Sequence, residues 1–247
     1  MPDPLTPMAA LAFLTERPIA HRGLHDGNHR VAENSMAAFR AALSHGFAIE
    51  CDVHIAADGI PVVFHDHDLQ RMTGQAGTVG AVTAKALSQA RLAGTQDHVP
   101  TLQELLSLVA GRVPLVVELK GSDAATDSGY AAALRPVLQD YSGPLALMSF
   151  DDWLVDQALT LGPPVGLTAE GTRPELLARH RSVFERGCSF VSYNVHHMPN
   201  SFVDWVRQDR HLPVISWTVR TPDDVERSRR HADQMTFEGF TPDPSAA

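Results

Sequence analysis

The sequence predicts an α/β fold, a (β/α)8 TIM barrel with a small insertion after the second barrel strand. Three observations predict it. Short β-rich runs alternate with helical stretches along the chain, the pattern of parallel strands joined by crossovers. Nine strand candidates occur, and an Asp58-Gly59 turn folds one of them back as an antiparallel hairpin, which leaves eight for the barrel. A length of 247 residues suits one such barrel.

Taken in order, the first strand candidate, 18–21, ends in His21-Arg22-Gly23. A helix over 35–45 follows, with Asn34 or Ser35 as its N-cap and Gly46 as its stop. Strand 48–55 leads through Asp58-Gly59 into the returning run 60–65. Residues 66–100 are longer than one connection needs and rich in Thr, Gly, Ala and Gln, so they form the insertion beside the barrel mouth. Helix 101–110 carries Leu102, Leu105, Leu106 and Val109 on one stripe, opens on a Thr101/Glu104 capping box and stops at Gly111. Strands 115–120, 145–150, 165–169, 190–194, 214–219 and 234–237 follow, with helices at 151–161, 174–185, 201–210 and 223–231. No internal repeat or low-complexity linker interrupts them, so one domain over residues 1–247 is expected.

Composition narrows the function. Hydrophobic residues make up 44% and charged residues 20%, an ordinary globular balance. A net charge of -9 with no basic run argues against nucleic acid and anionic membrane surfaces as partners. An acidic chain that handles an anion needs a local positive site. Two cysteines, Cys51 and Cys188, make no disulfide framework. The apolar patch 8–14 lacks a basic flank and a cleavage site, so it reads as a short packing helix rather than a signal peptide. No run is long enough to span a membrane, and a cytoplasmic protein is the expectation.

The chemistry-bearing residues come in pairs. Glu50 and Asp52 share one face of a strand, because side chains alternate. Two carboxylates on a face otherwise expected to be apolar repel each other unless a cation sits between them, or unless one faces solvent near the strand end. If Asp58 and Gly59 are the two loop residues, Ile55 opposes Val62 and Asp52 opposes His65. Glu118 and Lys120 repeat the device at the C-terminal end of another strand, where barrel side chains point into the mouth. A third carboxylate completes an oxygen-rich site, which favours Mg²⁺ or Ca²⁺ over Zn²⁺. Lys120 adds a positive group. His21 can exchange a proton near neutral pH, Arg22 suits a phosphate, and Gly23 permits the turn that aims both inward. Other groups carry weaker signals. His65-Asp66-His67 could be a zinc pair, His196-His197 reads as surface, and Trp217 either walls the mouth or packs outward. Glu238 can reach the mouth from the last strand, although a loop Glu is usually solvated.

The ordered set His21-Arg22-Gly23, Ala32-Glu33-Asn34-Ser35, Glu50-Cys51-Asp52-Val53, Asp58-Gly59, His65-Asp66 and Glu118-Leu119-Lys120 resembles the glycerophosphodiester phosphodiesterase family. The likeness continues through Leu69, Arg71, Thr73, Pro100-Thr101-Leu102, Ser149-Phe150 and Trp217-Thr218-Val219. It implies a barrel with an insertion after the second strand. It implies one divalent cation, Mg²⁺ or Ca²⁺, held by Glu50, Asp52 and Glu118. It implies His21 and His65 as the acid/base pair, Arg22 and Lys120 near the phosphate, and a glycerophosphodiester as substrate. Glu33 and Asn34 match the family's mouth pair, with Asn34 expected to act first as a helix cap; Glu33 and Trp217 are candidate pocket residues. Ala32 stands where the family usually has Pro, and Thr236-Phe237-Glu238 where it often has Thr-Asp. Alternatives are a lysophospholipase D or sphingomyelinase D-like phosphodiesterase, a zinc amidohydrolase and a non-catalytic phosphate-binding barrel.

Overall fold

The structure, a computed structural model, describes residues 11–243. Eight parallel strands form the barrel: β1 (Ile19–Ala20), β2 (Ala48–Ile55), β4 (Leu115–Leu119), β5 (Leu145–Ser149), β6 (Val165–Ala169), β7 (Phe190–Asn194), β8 (Val214–Val219) and β9 (Gln234–Phe237). They pair in the order β1-β9-β8-β7-β6-β5-β4-β2, and β1 pairing with β2 closes the ring. The predicted α/β barrel is therefore the observed one. β3 (Pro61–Val63) runs antiparallel to the end of β2.

Helices cover the outside. Met36–His45 starts at Ser35, whose side chain accepts from the Ala38 N–H, and stops at Gly46 with φ 73°. Leu102–Val109 carries the expected Thr101/Glu104 capping box. Asp152–Ala158, Pro174–Phe184 and Pro222–His231 lie within a few residues of their expected spans. The span expected as one helix over 201–210 is helical over Ser201–Asp204 and then widens into a π-type coil over Trp205–Asp209. A further helix, Tyr130–Leu138, follows β4 where none was expected. No side chain caps its start, and Pro136 lies inside it, so it lacks the usual start and stop signals. The expected helix over 8–14 lies partly outside the described residues; Ala12–Leu14 form one 3₁₀ turn.

The hairpin differs from expectation by one residue. Ala56 donates to the Ile60 carbonyl at 3.0 Å, so the loop has three residues, with Gly59 at φ 77°. A left-handed third residue adds a bulge and slides the return strand by one position. His54 therefore faces Val62, Ile55 faces Pro61, and Phe64 rather than His65 stands beside Asp52, donating to its carbonyl at 3.0 Å.

The interior has two levels. At the N-terminal end, Ile19, Ala48, Val116, Ala146, Phe190 and Ile215 fill the barrel, and Leu11 and Leu14 plug it from below. Gly166 belongs to this level by necessity: a Cβ there would sit 2.4 Å from the Phe190 ring. Residues 66–100 fold beside the mouth over a small apolar cluster that includes Leu69, Met72, Val79, Leu87 and Leu92, packed with Phe64 of the hairpin.

Candidate active site

At the C-terminal ends of the strands, the same inward-facing rows turn polar. Glu50 lies two residues beyond Ala48 on β2, and Glu118 two beyond Val116 on β4. Asp52 and Glu118 are register partners on adjacent parallel strands, so both face inward side by side. Oxygens of Glu50, Asp52 and Glu118 lie within 4.8 Å of one another, and all three residues are buried. Among the described residues this is the one group with metal-ligand character, and neither His65 nor His67 joins it.

The carboxylates fit a hard dication. Glu50 Oε2 accepts the Arg22 N–H at 2.8 Å, while Oε1 has no hydrogen-bond partner among the described residues. Asp52 Oδ2 accepts from Asn34 Nδ2 at 2.8 Å, and Oδ1 lies 3.2 Å from Lys120 Nζ. Lys120 also donates to Glu118 Oε1. Burial, then the neighbouring Asp52 and Glu118, hold the Glu50 carboxyl well above its usual range. Burial pushes Glu118 up to about 7 despite Lys120. For Asp52, burial acts in the same direction, but Lys120 and Arg22 outweigh it and keep the carboxyl ionised. A dication between the three would offset the repulsion that adds to burial in raising Glu50 and Glu118.

Asn34 corrects one expectation. Ser35 caps the helix, and Asn34, at φ 53°, turns inward to brace Asp52. Its N–H donates to the Arg22 carbonyl at 2.9 Å, which ties it to the first strand's end.

Two histidines flank the carboxylates, each anchored at Nδ1. His21 Nδ1 lies 2.7 Å from Glu238 Oε2, leaving Nε2 toward Glu50 at 4.0 Å. His65 Nδ1 lies 2.7 Å from Asp66 Oδ1. Burial lowers the pKa of both rings, against the pull of their carboxylate partners. Glu238 is the site residue that sequence reasoning underrated. Burial opposes its charge, but the His21 bond and Arg220 pull its carboxyl down to about 2. Its only sequence signal is its place just beyond the last strand.

Arg22 reaches across the mouth. Its NH1 donates to Glu33 Oε1 at 2.7 Å, and its Nε lies 3.4 Å from Asp52. Glu33 in turn receives both outer nitrogens of Arg71, at 2.7 and 3.1 Å. Arg71 also grips Asp66, at 2.6 Å from Nε. One insertion residue thus links the bed of Arg22 to the anchor of His65.

These groups enclose a cavity of about 200 Å³, lined by His21, Arg22, Glu50, Asp52, His65, Glu118, Lys120 and Trp217. Glu33 lies behind this wall, in contact with Arg22 rather than with the cavity. Trp217 faces the mouth, its Nε1 donating to the Ser192 carbonyl at 3.1 Å, and packs edge-on against Phe150 at 5.3 Å. Phe150, Thr168, Ser192, Asn194, His196 and Arg220 also line it, and sequence reasoning assigned none of them to it. His196, read as surface, is indeed exposed, yet it reaches the rim beside Asp224 at 3.5 Å.

Comparison with known proteins agrees with this architecture. Residues 21–235 match the glycerophosphoryl diester phosphodiesterase family. A glycerophosphodiester phosphodiesterase of Caldanaerobacter subterraneus is 35% identical over 223 residues, 85% of this chain and 88% of that one. Glycerophosphodiester phosphodiesterase 1 of Rattus norvegicus is 25% identical over 274 residues, 93% of this chain and 80% of that one. Among solved structures, an Oleispira antarctica phosphodiesterase, in complex with the product sn-glycerol-3-phosphate, shares the fold with a TM-score of 0.79 at 23% identity, covering 96% of both chains. A glycerophosphodiester phosphodiesterase from Thermotoga maritima gives a TM-score of 0.72 at 22% identity, over 89% of this chain and 92% of that one. With the family match spanning nearly the whole barrel, the chain belongs to the glycerophosphoryl diester phosphodiesterase family.

Proposed function

We propose that the chain hydrolyses glycerophosphodiesters to glycerol 3-phosphate and an alcohol, using one Mg²⁺ or Ca²⁺ held by Glu50, Asp52 and Glu118. The observation that carries this reading is the buried three-carboxylate cluster with an unpartnered Glu50 oxygen, set between two carboxylate-anchored histidines. The product found in the Oleispira antarctica complex supports the same substrate class.

A bound dication supplies charge stabilisation for a phosphoryl oxygen. The protein's own groups do the rest. Arg22 and Lys120 hold the phosphate's remaining charge, and Arg22 is fixed for that task by Glu33. His21 and His65 divide the proton transfers through their Nε2 atoms. One accepts the proton of the nucleophile, water or the glycerol 2-hydroxyl, as its oxygen bonds to phosphorus; attack by the 2-hydroxyl gives a cyclic phosphate, which water then opens to glycerol 3-phosphate as the two rings exchange roles. The other, protonated at both ring nitrogens, delivers its Nε2 proton to the leaving alkoxide as the old P–O bond breaks. Glu238 and Asp66 hold each ring with Nδ1–H turned away from the substrate. The leaving alcohol exits past Phe150 and Trp217.

The test is release of glycerol 3-phosphate from a panel of glycerophosphodiesters, with and without chelator. Turnover that returns on adding Mg²⁺ or Ca²⁺ is expected. Full turnover in chelator, or turnover of lysophospholipids alone, overturns the reading.

A further inference from the structure

Thr168 on β6 and Ser192 on β7 are register partners on adjacent parallel strands. Both line the cavity, and they are 2% and 1% exposed. Neither hydroxyl has a hydrogen-bond partner among the described residues. That is unusual, because folded proteins pair their buried polar groups. Other buried serines of the same sheet follow the rule: Ser149 donates to the Leu119 carbonyl at 2.7 Å, and Ser216 pairs with Ser228 at 2.7 Å. The unpaired hydroxyls are thus confined to the cavity wall, across the ring from the carboxylates of β2 and β4.

The geometry points to a diol-reading subsite: Thr168 and Ser192 bind the two free hydroxyls of the substrate's glycerol. This rests on the proposed function and says which residues recognise its alcohol. Adjacent strands lie about 4.8 Å apart, so the two side-chain oxygens stand close enough to engage hydroxyls on neighbouring carbons. Each can donate one hydrogen bond and accept another, as a diol requires. Depth decides which end of the substrate they meet. Side chains this buried reach only a small terminal group, whereas a head group of variable size needs the open rim, where Phe150 is 40% exposed. A site built to hydrogen-bond a hydroxyl discriminates strongly against an analogue that lacks it.

The test is isothermal titration of the Mg²⁺-loaded protein with sn-glycerol 3-phosphate and with methyl phosphate, which keeps the phosphate and lacks the diol. The wild type is expected to bind glycerol 3-phosphate at least about 10-fold tighter, the worth of one to two well-made hydrogen bonds. Thr168→Val, which keeps the side-chain shape, and Ser192→Ala should each lose about 5-fold or more for glycerol 3-phosphate. Both should bind methyl phosphate as the wild type does. Thr168→Ser, which keeps the hydroxyl, should retain the preference and shows that the loss is not misfolding. Variants that keep the wild-type ratio overturn the subsite; hydroxyls that merely hold buried solvent give that result. If the wild type also hydrolyses glycerophosphodiesters, the proposed function still stands. A wild type that neither hydrolyses them nor distinguishes the two phosphates overturns both.

Discussion

The two ends of the barrel interior are built by the same strands and have opposite characters. On β2 the inward row runs Ala48, Glu50, Asp52; on β4, Val116, Glu118; on β7, Phe190, Ser192. Two residues, roughly 6.6 Å of strand, separate a close-packed apolar floor from a buried polar cluster. The floor gains from burial and packing. The mouth pays for its unpaired oxygens and crowded carboxylates, and the floor offsets that cost. The lesson is a division of labour along each strand: the pleat chooses the face, and position along the strand chooses between stability and chemistry.

Substitutions can break that division. The largest effect on activity is expected from Glu50→Gln, which removes an anionic oxygen from the cluster. Turnover should fall at least about 100-fold, while the metal-free protein melts no lower than wild type, because burial and the neighbouring carboxylates both disfavour the charge that is removed. Near-normal turnover would remove the carboxylates from the chemistry. At the floor, Phe190→Ala should cost about 3–5 kcal/mol in urea unfolding, as a large buried ring leaves a cavity. The KM of the protein that remains folded should be unchanged, and a shifted KM would mean that the two levels are coupled.

A smaller effect is expected from Glu238→Gln, which keeps the contact with His21 but not the charge. It should lower kcat about 10-fold with little change in KM. Steady-state kinetics across pH would also show the limb of kcat that titrates His21 moving to lower pH, because the negative charge raises the His21 pKa. An unmoved limb would sever Glu238 from His21.

The smallest effect is a pH dependence of stability. Glu118 is raised from an ordinary 4.5 to about 7 in the fold. A carboxyl raised by folding stabilises fully below its unfolded value and loses that contribution as pH rises through its folded value. The chelated protein's melting temperature should therefore fall by a few degrees between pH 4.5 and 7 through this group, and Mg²⁺ or Ca²⁺ should flatten the decline. A chelated protein that melts at the same temperature at both ends, with and without Glu118→Gln, would contradict the strained cluster.

Much of the fold was legible because its signals are local. Alternation marked β2, β6, β7, β8 and β9 to the residue, and the Thr101/Glu104 box marked its helix. The misses share a cause. The hairpin register turned on whether Gly59 was the second loop residue or the third, which composition does not reveal. Asn34 and Ser35 are both good caps, and the strand beside them decided between them, since Asp52 draws Asn34 inward. The site pairs were visible as pairs, whereas their partners were not. Glu238 meets His21 across 217 residues of chain, and Thr168 and Ser192 look like any strand hydroxyls until the ring closes.

By itself, then, the sequence determined which side chains share a face: Glu50 with Asp52, and Glu118 with Lys120, because the two-residue repeat of a strand acts within a few ångströms along the chain. Tertiary structure alone decided which faces meet. Closure of β1 onto β2 and β9 joins His21 to Glu238, the one-residue slide of the hairpin sets His65 just beyond Phe64, and Arg71 ties the insertion to both Glu33 and Asp66. Those contacts depend on how far each strand is staggered against its neighbours around the ring, a quantity that no single segment carries.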